Sequence, residues 1–321
     1  MKFIKFLILF NFALTYNFEF SLSEKFQNIE FNRDNVYSDL YSNAIYEITN
    51  DNFESQDTIW LRTGAGLSFI TFSNSNSPLF NSILNENLPE GGTPAYIIKN
   101  NLIALSGAKS IYQNNRYRPM GTGISWSHDN GSTWNYINQP LDNSESSYTW
   151  ISWGDQDSIK FKSINTQIYN VSYDIEEFNG YIYATSFAGG LRRFNYNNSN
   201  PEWELIPLPQ DNQTSLFCNN IDTENYQYNP VDPPDGNDNH KAFSVFIDEN
   251  IIWVGTGDGI NKGIINEEND CIDWVHYNES DGMGDRWIIG IRNQTLEDEI
   301  NRLWAVSWDP SLNKAIPHKL T

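Results

Sequence analysis

Two stretches gather the side chains able to bind a ligand or move a proton. Residues 219–241 end in Asp232-Pro233-Pro234-Asp235-Gly236-Asn237-Asp238-Asn239-His240-Lys241, which sets three carboxylates, an imidazole and an ammonium around a glycine turn. Residues 280–286 add Asp281, Asp285 and Arg286. Oxygen ligands around a glycine turn suit a hard cation such as calcium. No Glu follows at the bidentate position of an EF-hand, however, and Asp, Asn, Gly and Pro are also the ordinary residues of solvent turns. Calcium is therefore the one cofactor the sequence leaves open, and no metal ligand set is assigned. His128, His240, His276 and His318 are too scattered for zinc spacing. The expected use of Asp232, Asp235, Asp238, His240, Lys241, Asp281, Asp285 and Arg286 is ligand binding.

Hydrolysis of a glycoside requires two carboxylates facing each other across a cleft, and no such pair can be assigned from spacing alone. Gly255, Gly257 and Gly259 superficially match a dinucleotide fingerprint, but they separate apolar strand-like runs and open no helix, so the phosphate-cradling mechanism is missing. With 41 Asp and Glu against 20 Lys and Arg, the formal charge is −21, which repels phosphate backbones and anionic headgroups. Nucleic acid is excluded as the expected partner.

The elements that must position these groups read as strands. Ile251-Ile252-Trp253-Val254-Gly255-Thr256-Gly257-Asp258-Gly259-Ile260 describes a buried strand, a tight turn and a return strand. Related runs start at Ile59-Trp60, Ile182-Tyr183 and Leu303-Trp304, with a degenerate copy at Leu102-Ile103-Ala104-Leu105-Ser106-Gly107. Copies roughly 45 to 80 residues apart point to a repeat array. No long segment carries a 3.6-residue apolar stripe, and the Asn, Ser and Tyr content favours turns and strands over helices. The clearest repeat predicts four strands, over 242–247, 251–256, 259–265 and 272–277. Four short strands per repeat, set radially, make the blade of a β-propeller. The expectation is an all-β propeller of four-stranded blades, about five of them visible over 43–321 and the last incomplete, as in a fragment of a longer ring.

Lys2 and Lys5 precede the apolar run from Phe6 to Leu14, too short to span a membrane and of the form of a secretory signal. Residues 1–22 are read as that signal and 23–42 as an amino-terminal segment whose Asn28-Ile29-Glu30-Phe31 could close the ring. The mature chain is expected outside the cell, in the periplasm or at the cell surface, and not to span a membrane. Cys218 and Cys271 are the only two cysteines, and an exported chain could join them or leave both as thiols.

Ser127-His128-Asp129-Asn130-Gly131-Ser132-Thr133-Trp134 fits S-x-D-x-G-x-T-W throughout. It resembles the Asp-box, a hairpin signature of sialidase-like and related propellers. Asp129 can accept N–H bonds across the turn, Gly131 permits positive φ, Ser127 and Thr133 satisfy turn groups, and Trp134 can fill the gap beside the hairpin. Those roles are structural, since the turn itself consumes the polar groups. A sialidase-like enzyme would add an arginine cluster, and Tyr117-Arg118-Pro119 only partly matches the Arg-containing motif that opens such domains. A second resemblance covers most of 43–308: Asp281-Gly282-Met283-Gly284-Asp285-Arg286-Trp287-Ile288-Ile289 followed by Leu303-Trp304-Ala305 is similar to the repeat of two-component-regulator-type propellers. That resemblance implies a binding or sensing role.

The expected function is thus a non-enzymatic binding or scaffolding module for a glycan or a protein partner. The alternatives are a glycoside hydrolase of the Asp-box class and the periplasmic sensor portion of a signalling protein.

Overall fold

The computed structural model describes residues 40, 42–53, 56–72, 78–99, 101–142, 146–154, 156–231, 236–269, 271–295, 301–309 and 314–320, all within the unit Val36–Thr321. The proposed signal, the possible closing strand Asn28 to Phe31, Asp232 and Asp235 lie outside the described residues.

The described residues are nearly all β, with two single-turn 3-10 helices at Asp238–His240 and Glu279–Asp281. Six antiparallel-based sheets follow one another. The first comprises β1 (Ile45–Phe53), β2 (Gln56–Thr63), β3 (Gly66–Phe72) and β4 (Pro78–Ser82), and the second β5 (Tyr96–Lys99), β6 (Leu102–Gln113), β7 (Arg116–Ser127) and β8 (Asn135–Ile137). The third holds β9 (Tyr148–Trp153) and β10 (Gln156–Lys162), and the fourth β11 (Ser172–Phe178), β12 (Tyr181–Ser186), β13 (Gly190–Asn195) and β14 (Glu204–Leu205). Next come β15 (Ser215–Leu216), an edge strand of the fifth sheet, and β16 (Gln227–Tyr228), which pairs parallel with β10 and completes the third. The fifth sheet continues with β17 (Ala242–Asp248), β18 (Ile251–Thr256), β19 (Gly259–Ile265) and β20 (Ile272–Tyr277), and the sixth is β21 (Trp287–Thr295), β22 (Asn301–Asp309) and β23 (Lys314–Leu320).

Local chemistry accounts for this order. Strand β20 alternates buried and exposed along its length, with Ile272, Trp274 and His276 inward. Asn179 and Gly180, both at positive φ, join β11 to β12 in a two-residue hairpin, and Asn114 and Asn115 do the same for β6 and β7. The apolar cores lie between sheets. Trp60, Leu67, Ile103 and Trp134 pack the first against the second. Ala104, Trp126, Ile182 and Phe194 pack the second against the fourth, and Ile260, Ile288, Ile291 and Ala305 the fifth against the sixth.

Two segments depart from the four-strand repeat expected from the sequence. The antiparallel pair β9 and β10 forms the third sheet with Gln227-Tyr228, because Tyr228 and Phe161 are buried in one core. Within 219–231 and 236–241, β16 and the buried Tyr226, Tyr228 and His240 hold the chain in place. Cys218 and Cys271 are disulfide-bonded, with Cα atoms 6.2 Å apart, and the bridge lies beside the β15–β20 pair rather than between repeats.

The first strands of the second, fourth, fifth and sixth sheets touch, β5 against β11, β11 against β17 and β17 against β21. Tyr96 on β5 donates its hydroxyl hydrogen to Thr49 Oγ1 on β1, and Arg292 on β21 reaches Glu47 on β1 at 3.8 Å. Among the described residues no strand pairing links the sixth sheet to the first, so that return contact is made by side chains alone.

Candidate functional site

The starts of β11, β17 and β21 converge with the turns beside them, and there a cluster of aromatic and charged side chains is assembled. Tyr173, Phe243 and Trp287 each stand at the beginning of a first strand, and Phe187 follows β12. Phe243 and Trp287 stack with centroids 5.3 Å apart and planes 29° apart. Phe187 lies 6.0 Å from Phe243 and 6.2 Å from Trp287, Tyr173 lies 6.1 Å from Phe243, and Tyr169 lies 6.3 Å from Phe187. All five rings are only partly buried. Tyr169 holds φ +59°, a conformation that costs free energy in a non-glycine residue and concentrates at binding surfaces.

Charged groups border these rings. Lys241 Nζ lies 5.4 Å from the Phe187 ring centre and bonds Asp238 Oδ1 at 2.7 Å. Arg286 donates to Asp258 Oδ1 at 2.9 Å and to Asp238 Oδ2 at 3.0 Å. Asp258 sits in the β18–β19 turn, and that turn is fastened to the same patch: Gly257 N donates to the carbonyls of Asp238 and Lys241, and Gly259 N, at φ +111°, to that of Arg286. Burial, with the Asp211 charge, raises the Asp258 carboxyl above its usual range, and Arg286 opposes that shift. Asp211 itself accepts from the backbone N–H groups of Asp238 and Asn239, which fixes the short helix that presents Asp238.

Asp238, Lys241 and Arg286 are therefore brought together. Asp285 instead accepts from the backbone N of Arg286, and Asp281 caps its own 3-10 turn by accepting from the N of Asn278. His240 is corrected from a ligand-binding group to a buried support. Its ring stacks on Tyr228 at 4.2 Å, Nδ1 accepts from Asn229 N, and Nε2 faces the Leu208 carbonyl, so no ring nitrogen is left for a ligand. Burial lowers its pKa to about 3. The residues that sequence reasoning passed over are Asp258 and the aromatics Tyr169, Tyr173, Phe187, Phe243 and Trp287; an aromatic recurring at the start of first strands was the available signal.

A second charged constellation lies further along the same strands. Arg292 Nη1 is 3.4 Å from Asp174 Oδ2, and Asp174 also accepts from Val245 N on β17. Arg292 Nη2 approaches Glu47, whose other oxygen is 3.2 Å from Arg62 Nε. Burial raises the pKa of Asp174 against the pull of Arg292, and burial pushes Glu176 up to about 7, opposed by the Glu177 N–H and Lys99.

In the β7–β8 turn, Asp129 accepts from Thr133 N at 2.7 Å and from the Thr133 hydroxyl at 2.7 Å, Gly131 N donates to Ser127 Oγ at 2.8 Å, and Trp134 Nε1 donates to the Gly131 carbonyl at 2.9 Å. The two Thr133 bonds, with one donated by the Ser127 hydroxyl, hold the Asp129 carboxyl down at about 2, and all these bonds are internal to the turn. Among the described residues no group of three or more His, Cys, Asp or Glu side chains converges as a metal site, and no helix is long and apolar enough to cross a membrane.

No protein-family model matches the chain, and no curated protein matches its sequence. Among solved structures it is similar to virginiamycin B lyase from Staphylococcus aureus, at 12% identity and TM-score 0.43 over 86% of this chain and 70% of that one. It is also similar to an α-L-arabinanase from Cellvibrio cellulosa, at 11% identity and TM-score 0.34 over 87% and 93%, and to Trypanosoma rangeli sialidase, at 8% identity and TM-score 0.34 over 86% and 55%. Likenesses at this level decide neither family nor activity.

Proposed function

We propose that this chain is an exported, non-enzymatic β-propeller module that binds a glycan at the patch formed by Tyr173, Phe187, Phe243 and Trp287 with Asp238, Lys241, Asp258 and Arg286. The observation that carries the reading is a cluster of partly exposed rings from three sheets, bordered by charged groups that are already paired and oriented. The apolar face of a pyranose ring lies flat on such aromatics, while its hydroxyls exchange bonds with fixed carboxylates and guanidinium groups. Pairing costs Arg286 little flexibility on binding, which favours affinity. Contacts running through β1, β5, β11, β17 and β21 support a radial arrangement of the sheets as blades. The Ser127 to Trp134 turn supports the Asp-box reading of that hairpin. Export is supported by Lys2, Lys5 and the apolar run after them, and by the Cys218–Cys271 bridge.

The test is a glycan array probed with the mature chain, with sugar release followed in parallel. Retention of at least one glycan class without release is expected, and Trp287→Ala or Phe243→Ala should weaken it about tenfold or more. Absence of binding, or binding indifferent to both substitutions, overturns the reading.

A second reading, glycoside hydrolysis, is favoured by one observation. Burial pushes the Glu176 carboxyl up to about 7, with the Asp174 charge adding to the rise, and a general acid must hold its proton near neutral pH. Sugar release from a glycan bound by the wild type, abolished in Glu176→Gln, would establish it in place of the module; release that survives the substitution would remove Glu176 from the chemistry.

A further inference from the structure

The longest hairpin in the described residues outruns its own sheet. β5 pairs with β6 only as far as Leu105, and β8 with β7 only as far back as Ile124, yet the β6–β7 ladder continues to Gln113 opposite Arg116. Beyond the bridges Gly92 to Ala108 and Met120 to Ile168, and the bond from Tyr169 N to the Pro119 carbonyl, the two strands pair only with each other among the described residues. Asn114 and Asn115, at φ +53° and +60°, close the tip in a turn whose twist matches the strands, so the projection is a stiff ribbon rather than a loose loop.

Its two faces differ. One carries Tyr112 opposite Tyr117, with rings 5.1 Å apart and exposures of 65% and 75%. The other carries Lys109, Ile111, Gln113, Arg116 and Arg118. Residues 109–118 contain three cations and no Asp or Glu in a chain of net charge −21. Lys109 pairs with Glu90, while Arg116 and Arg118 have no ion-pair partner among the described residues. A protein carrying this much negative charge gains no solubility from a locally basic, aromatic projection with open strand edges. Exposed Tyr and Arg are the residue types that dominate binding energy at protein interfaces.

We propose that this hairpin is a docking surface for an acidic polypeptide segment, which adds to a free edge of the ribbon as a strand while its carboxylates engage Arg116 and Arg118. Open backbone N–H and C=O groups are satisfied by another strand but not by a lipid surface or a polysaccharide, and guanidinium forks match carboxylates in paired geometry. The surface is separate from the glycan patch, although the segment 167–170 that braces the hairpin base includes Tyr169 of that patch.

The experiment measures binding of the mature full chain to an immobilised peptide of alternating Val and Glu. Parallel arms use the alternating Val and Lys peptide, heparin, and phosphatidylglycerol vesicles. Binding to the Glu peptide alone is expected. Arg116→Glu and, separately, the double change Tyr112→Ser with Tyr117→Ser should each weaken it about tenfold or more, with an unchanged thermal midpoint because the altered side chains are exposed. Glycan retention at the aromatic patch should be unaffected by both, so loss here and failure of the glycan reading are told apart. No binding to the Glu peptide, equal binding to the Lys peptide, preference for heparin or vesicles, or indifference to both variants overturns the proposal.

Discussion

Arg286 and Arg292 stand on either side of the start of β21, and each meets two carboxylates. Arg286 holds Asp238 and Asp258 at hydrogen-bond distance, both from the fifth sheet and its lead-in, and remains 44% exposed beside the aromatic rings. Arg292 holds Asp174 and Glu47 more loosely, at 3.4 and 3.8 Å, but these belong to the fourth and first sheets. One arginine therefore orders a local surface, and the other joins strands distant in sequence. The lesson is that reach, rather than the tightness of a pair, decides how much of the fold depends on it. A closely bonded but local pair is a better candidate for binding, because removing it leaves the sheets as they were.

The largest expected effect lies under the Arg286 surface. His240 supports the short helix carrying Asp238 and is held neutral by burial, with a pKa lowered from 6.5 to about 3. Since the folded chain binds this proton less readily than the unfolded chain, its contribution to stability is full above 6.5 and is lost as pH falls through that range towards 3. The loss amounts to on the order of 5 kcal/mol. Denaturant unfolding of the wild type at stepped pH should show that slope, and His240→Gln should flatten it whatever its starting stability. Equal slopes in the two proteins would show that the patch does not rest on a neutral imidazole.

Arg292→Ala comes next. It leaves the carboxyl of Asp174, little exposed, without its cation, and the cost of a broken buried pair is about 3–5 kcal/mol. Arg292 is itself 61% exposed, so screening by water reduces that figure to about 2 kcal/mol. Adding Asp174→Asn should recover most of the loss, as expected for coupled neighbours. Arg286→Ala should cost less stability while weakening glycan retention. If it destabilises the fold more than Arg292→Ala does, the contrast between the two arginines is inverted.

How far these regions were legible in the sequence follows the same division between local and distant. The strands of the fifth sheet could be read because apolar runs and tight turns are local signals, as at Gly257-Asp258. Asp238, Lys241 and Arg286 could be singled out because they cluster in short loops. His240 could not be separated from them, since its environment is made by Tyr228, Asn229 and Leu208, which the chain brings in from other elements. The aromatic patch escaped for a related reason: Tyr173, Phe243 and Trp287 meet only when the starts of three first strands converge. The β6–β7 extension was hidden because residues 107–121 lack an alternating apolar face, their strands having no sheet to bury against.

The smallest effect, at Glu176, distinguishes the interior of the first strands from the patch by the opposite pH sign. Burial raises this carboxyl from 4.5 to about 7, so the folded chain holds its proton more tightly than the unfolded chain. The stability this supplies is full below 4.5 and disappears as pH rises through 7, the reverse of the His240 case. Glu176→Gln keeps the neutral shape at every pH. It should match the wild type in mild acid and exceed it by about 1 kcal/mol at pH near 8.5, the full shift being discounted because Glu176 is only partly buried. Unfolding measured at each pH should give two stability curves that coincide below 4.5 and separate as pH rises through 7. Parallel curves would mean that Glu176 is ionised in the folded chain, with Lys99 and the Glu177 N–H outweighing burial, and would remove the observation on which the hydrolase reading rests.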